Sequence, residues 1–231
     1  MIYKLFNKPT LGTMRQVLYN RGLKTKEDQD KWINASFWGD INSPFAFGKE
    51  NVEKAIRRID IVAHFNIPLI VVVDADADGF TSAAIFLNYM YDLYLHEGHS
   101  KEEAISNLRY ILHDGKQHGL EDTVDKILKD DAKFVVIPDA GTNDVEQMQR
   151  IIDAEKFILC MDHHESDNWL HDDKCVIINN QICDYPNKDL SGAGVTWQIC
   201  RAYDQATKLN DTDNWEGVNQ YIDLAALGMN L

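Results

Sequence analysis

The chain has 231 residues, 45% of them hydrophobic, and no window approaches the roughly 18 consecutive apolar residues of a membrane span. Its 23 Lys and Arg against 37 Asp and Glu leave a formal net charge of −14, which excludes a generally basic surface for coating nucleic acid. Met1-Ile2-Tyr3-Lys4 opens no secretion signal, and Cys160, Cys175, Cys183 and Cys200 form no CxxC pair, so a cytoplasmic protein with reduced thiols and no membrane partner is expected.

Residues 1–48 read as a helical lead-in. Apolar residues fall near helical spacing from Leu11 to Leu23, a short helix opens at Lys24 and ends near Trp32, and a loop follows over Phe37–Pro44. Asn51 to Phe65 is predicted as an amphipathic helix with Val52, Ile56, Ile59 and Ala63 on one face. From there strands alternate with helices. The predicted strands are Leu69–Val73, Leu108–Leu112, Phe134–Ile137, Phe157–Met161 and Val176–Ile178. The predicted helices between and after them are Phe80–Tyr94, Glu121–Leu128, Asp144–Asp153, Leu190–Thr207 and Trp215–Leu227. This order implies an α/β domain over residues 49–231, with a doubly wound, mainly parallel sheet and helices on both faces.

Three of the strands run into aspartate. Val71-Val72-Val73 leads to Asp74-Ala75-Asp76-Ala77-Asp78-Gly79, Val135-Val136-Ile137-Pro138 to Asp139-Ala140-Gly141, and Ile158-Leu159-Cys160-Met161 to Asp162-His163-His164. Ligands of open parallel sheets bind beyond the carboxyl ends of the strands, so neighbouring strands would bring five aspartates and two histidines into one crevice. One strand ending in Asp is ordinary, because Asp suits turns and helix caps. Three together repel one another unless a cation joins them. Mixed carboxylate and imidazole ligation suits Mn²⁺ or Mg²⁺, and seven such groups can hold two ions that clamp a phosphate between them. Two divalent cations would also supply about four positive charges where an acidic protein must bind phosphate. A calcium loop beginning at Asp74 is excluded, since its twelfth position is Ile85.

These motifs resemble the first three motifs of the DHH phosphoesterases, and Ser191-Gly192-Ala193-Gly194-Val195 resembles the small-residue motif that follows them. The segments Leu112-His113-Asp114-Gly115-Lys116-Gln117-His118-Gly119-Leu120 and Asp223-Leu224-Ala225-Ala226-Leu227-Gly228 are closest to the RecJ-like branch of single-strand-specific exonucleases. The resemblance covers roughly residues 50–228. It implies Asp76, Asp78, Asp139 and His163 as metal ligands, with Asp139 bridging two divalent cations, Mn²⁺ preferred over Mg²⁺. It further implies Asp74 as a ligand or its immediate support and Asp162 as a residue of the metal site that supports the ligands. His164 would face the phosphate, as charge stabiliser or proton donor. Ser191, Gly192 and Gly194 would offer backbone N–H groups to a phosphate oxygen, and Lys116 and His118 would touch substrate phosphate.

The expected activity is two-metal hydrolysis of phosphodiesters in single-stranded nucleic acid, DNA above all, from a 5′ end. The polarity follows from the resemblance alone. Phe80, Tyr110 and Trp169 are candidates to stack bases. Hydrolysis of oligonucleotides, cyclic dinucleotides or pyrophosphate is the alternative within the superfamily; those branches carry a His where Val72 stands here. An inactive scaffold in a replication or repair assembly is the alternative of another class. There are two departures: the further metal-ligating Asp of the RecJ-like branch, expected just past Leu227-Gly228, is not in the sequence, which favours the scaffold, and the second substrate-binding domain is not in it either. The sequence therefore reads as one cut from a longer protein.

Overall fold

The computed structural model describes residues 12–33, 42–115, 117–209 and 215–229. Contacts divide the chain into two units, residues 1–43 and 44–231. In the first, α1 (Thr13–Asn20) and α2 (Lys26–Ile33) are short helices. Thr25 Oγ1 caps α2 by accepting from Asp28 N–H at 3.0 Å, and Gln29, buried, donates to the Leu23 carbonyl at 2.8 Å. The loop expected over 37–44 lies outside the described residues up to residue 41.

The second unit begins with a 3₁₀ turn at Pro44–Phe47, whose Phe47 ring stacks on Tyr185 at 3.8 Å, and continues into α3 (Lys49–His64). Along α3 the buried positions are Val52, Ala55, Ile59, Val62 and Ala63; Ile56 is only half-buried, at the margin of that stripe. The sheet comprises β1 (Leu69–Val73), β2 (Leu108–Leu112), β3 (Phe134–Pro138), β4 (Phe157–Asp162) and β5 (Cys175–Asn179), all parallel, in the order β2-β1-β3-β4-β5. Every residue of β1 and β3 is buried, as their unbroken β-branched runs require of strands covered on both faces.

One face of the sheet packs against α6 (Val124–Lys129) and α7 (Val145–Asp153), which join Ile70, Val72, Val135, Ile137, Ile158 and Cys160 in one core. The other face carries α4 (Ala77–His96), α8 (Gly192–Thr207) and, beyond them, α9 (Ile222–Gly228). The segment expected as one helix over Trp215–Leu227 is a 3₁₀ turn, Gly217–Tyr221, followed by α9. An unexpected helix, α5 (Lys101–Asn107), precedes β2. Its signal is in the sequence, a capping box in which Ser100 Oγ accepts from Glu103 N–H while the Glu103 carboxylate accepts from Ser100 N–H. All four cysteines are free thiols.

Candidate metal centre

From β1 the chain crosses to β2 on one side and later to β3 on the other, so a crevice opens between the carboxyl ends of β1 and β3. The parallel register aligns what leaves those ends. Val73 is level with Leu112 and Pro138 with Met161, which sets Asp74 beside His113 and Asp139 beside Asp162. Asp74, Asp139 and Asp162 are each 1% exposed.

Asp76 caps α4, its Oδ1 accepting from Gly79 N–H at 2.9 Å. Asp78, in the first turn of the same helix, is held from across the crevice: Gly192 N–H donates to its Oδ2 at 2.9 Å and Ala193 N–H to its Oδ1 at 3.0 Å. The remaining N–H of that helix start, on Gly194, donates to Ser191 Oγ at 3.4 Å. The N–H groups of Gly192 and Gly194 that were expected to bind a phosphate oxygen are thus already engaged. Helix α8 spends its N-terminus on orienting an acidic side chain.

Asp139 sits with φ at +71°, a conformation rarely taken by residues other than glycine, and its N–H donates to the Met161 carbonyl at 2.7 Å. Its Oδ1 is buried without a hydrogen-bond partner among the described residues and lies 3.2 Å from His163 Nε2. Burial first, and then the negative charge of Asp78, push the Asp139 carboxyl up to about 9. A carboxylate in such a position takes either a proton or a cation. His163 Nε2 also lies 3.6 Å from Asp78 Oδ2, and burial together with the neighbouring His164 lowers its pKa, favouring the neutral, ligating imidazole.

Asp162 is fully used. Its Oδ1 accepts from His163 N–H at 2.7 Å, His164 N–H at 3.1 Å and His164 Nδ1 at 2.7 Å, while Oδ2 accepts from Thr142 N–H at 2.9 Å. Burial works against its charge, but the hydrogen bonds from His164 and Thr142 outweigh it and bring the carboxyl down to about 2. The same bond raises His164 to about 9. Asp162 fixes the two histidines, the supporting role within the metal site that the resemblance implies for it. Asn179, level with Asp162 in β5, ties the arrangement down by donating to Thr142 Oγ1 at 3.0 Å and to the His164 carbonyl at 2.9 Å. Neither Thr142 nor Asn179 was singled out in the sequence, because their partners are 20 and 15 residues away in the chain.

At the β1 side, Asp74 Oδ2 meets His118 Nδ1 at 2.6 Å, and Asp74 Oδ1 accepts from Gly119 N–H at 3.2 Å. That bond raises the pKa of His118, which is otherwise exposed. Two sets of donors therefore lie close enough to share a cation: Asp139 with His163 and His164, and Asp74 with Asp76 and His118. Lys116 lies outside the described residues. Of the aromatics, Phe80 stands 53% exposed on the first turns of α4, Tyr110 is exposed on the edge strand β2, and Trp169 packs partly buried against the core.

The family description "DHH family, N-terminal domain" matches residues 68–229, well over half of the chain. The chain belongs to the DHH family. Among relatives of this DHH domain is YorK of Bacillus subtilis (strain 168), named as an SPbeta prophage-derived single-strand DNA-specific exonuclease, at 31% identity over 99% of this chain and 36% of its own length. The single-stranded-DNA-specific exonuclease RecJ of Escherichia coli (strain K12) is 24% identical over 93% of this chain and 36% of its length. The chain thus spans about a third of the length of these relatives. The crystal structure of exonuclease RecJ bound to manganese shares the fold, with a TM-score of 0.62 at 16% identity, over 78% of this chain and 42% of that one. Among the described residues of the DHH domain no helix is long and apolar enough to cross a membrane.

Proposed function

We propose that this DHH domain hydrolyses phosphodiester bonds of single-stranded DNA from a 5′ end, using two divalent cations, Mn²⁺ in preference to Mg²⁺. The observation that carries this reading is Asp139 Oδ1, a buried carboxylate oxygen with no hydrogen-bond partner among the described residues, between His163 Nε2 and the neighbouring acids Asp78 and Asp76. Carboxylate and imidazole donors with no thiolate among them fit a hard cation. The single-strand DNA-specific names of the relatives, and the manganese named with the RecJ structure, support the choice of substrate and ion.

Asp139, His163, Asp76 and Asp78 would hold the cations, with Asp139 shared between them and Asp74 with His118 closing the β1 side. Divalent cations held there would supply charge to neutralise the non-bridging phosphate oxygens and would lower the pKa of an attacking water. Gly192 and Ala193 keep Asp78 turned into the crevice. Asp162 holds Nδ1 of His164, which leaves His164 Nε2 to stabilise the developing phosphate charge or to hand a proton to the leaving oxygen. Phe80, exposed beside Asp78 on α4, would stack a base of the strand being cut.

The net charge of −14 favours short strands over long ones, because few phosphates can lie against this surface without repulsion. The test is cleavage of single-stranded DNA labelled at its 5′ or its 3′ end, with Mn²⁺. Immediate release of labelled mononucleotide from the 5′-labelled strand alone is expected, and its loss in His163→Ala. Equal release from both ends, or cleavage only of dinucleotides, would replace the polarity or the substrate class. No cleavage with Mn²⁺ firmly bound would favour a scaffold role in a repair assembly.

A further inference from the structure

His113 is the residue of the crevice that no metal-binding motif claims. Its side chain is 1% exposed, and it follows β2 at the level where Asp74 follows β1. Nδ1 meets Asp122 Oδ1 at 2.6 Å, and the second oxygen of Asp122 accepts from Asp114 N–H at 3.0 Å. Nε2 is buried, has no hydrogen-bond partner among the described residues, and faces Asp74 Oδ1 at 3.4 Å. Asp74 in turn carries His118 on its other oxygen. Asp122, His113, Asp74 and His118 thus form one line. It runs from the turn before α6 to the exposed His118.

Hydrogen bonds among core residues alone would not require this arrangement. A buried imidazole with a free nitrogen is costly unless that nitrogen does something. A histidine braced by a carboxylate on one nitrogen is the usual way in which a protein fixes the orientation of what the other nitrogen meets. Here it meets a carboxylate that belongs to the donor set Asp74, Asp76 and His118.

We infer that His113, braced by Asp122, is a positioning residue that holds Asp74 for the cation on the β1 side of the crevice. This rests on the proposed two-cation centre. It predicts an asymmetric effect: loss of the Nε2 contact weakens the ion held by Asp74, Asp76 and His118, and leaves the one held by Asp139 and His163 as it was. Support of an oriented ligand by such an outer partner is worth about 10–100-fold in metal affinity.

The experiment is a titration of the full chain with Mn²⁺, reading free Mn²⁺ by electron paramagnetic resonance, with the melting temperature recorded beside it. His113→Asn keeps a group near the Nδ1 position only, whereas His113→Gln reaches toward the Nε2 position. In the wild type two Mn²⁺ are expected. His113→Asn should weaken one of them at least tenfold and leave the other within about threefold, with His113→Gln closer to wild type than His113→Asn. Unchanged affinity for both ions in His113→Asn overturns the inference. So does a joint loss of both ions that tracks the melting temperature, or an equal defect in the Gln and Asn variants, since each marks a residue of the core and nothing more. A wild-type chain that binds no Mn²⁺ overturns the proposed function itself, and the inference with it.

Discussion

Gly192 and Asp139 pack so closely that a Cβ on Gly192 would lie 2.6 Å from the Asp139 Cβ and nearer still to its Oδ1. Contacts of that length do not occur between real side chains, so only glycine lets α8 begin against the end of β3. The same residue gives its N–H to Asp78. Gly192→Ala should therefore shift both Asp139 and Asp78, lowering Mn²⁺ affinity at least tenfold and stability by about 1–3 kcal/mol. Calorimetric titration and thermal melting of the variant check both numbers.

Asp162→Ala removes the acceptor of four hydrogen bonds, three of them on Oδ1. His164 would lose its orientation, and turnover at saturating substrate should fall about 10–100-fold, with a lower melting temperature. Unchanged turnover would remove Asp162 from the account of His164.

Phe80 leaves about half of its surface exposed on α4, so Phe80→Ala should lower the melting temperature only slightly. If the ring stacks a base, the KM for single-stranded DNA rises by the equivalent of about 1–3 kcal/mol. A steady-state comparison on an oligonucleotide measures it.

Asp144 titrates in the folded protein at about 6, raised from 3.8 by burial first and by the charges of Asp162 and Asp74. A carboxyl raised on folding holds its proton more tightly in the native state. Its contribution is complete below about pH 4 and is lost as pH rises through 6. Asp144→Asn cannot lose it. In urea unfolding at pH 4, 5, 6 and 7, the variant should gain on the wild type across that interval and hold its lead at pH 7. A constant difference would show that Asp144 does not titrate in this range.

Asp204, fully buried, accepts at Oδ1 from Tyr89 Oη and Trp215 Nε1, both 2.8 Å, and at Oδ2 from Val218 N–H at 2.9 Å. It pins α4, α8 and the 3₁₀ turn before α9 to one point. Asp204→Ala strands three donors and should cost about 3 kcal/mol or more in chemical denaturation. Asp204→Asn keeps the Oδ1 acceptor and should cost less.

The strands and their aspartates were legible because a doubly buried strand writes itself as a β-branched run and its end as a turn former. Val71-Val72-Val73-Asp74 carries both signals within four residues. What the chain pattern could not carry is partnership across the fold. The N–H groups of Gly192 and Ala193 look available in sequence, and only the docking of α8 on α4 brings Asp78, 114 residues earlier, to take the first of them. His113 and Asp74 meet because β1 and β2 pair in the register Val73 to Leu112, a fact of sheet order and not of either segment. Helix α5 is a different case, since Ser100 and Glu103 announce it locally and its few apolar residues hide it from a search by periodicity.

As proposed, the crevice holds two cations on its own carboxylates and imidazoles. Diffraction from crystals soaked in Mn²⁺, recorded at the manganese absorption edge, tests it directly. Two anomalous peaks within ligand distance of Asp139, one of them beside His163 and the other toward Asp76, are the expected result. Crystals with no peak in the crevice, or with manganese bound only elsewhere on the chain, would contradict it.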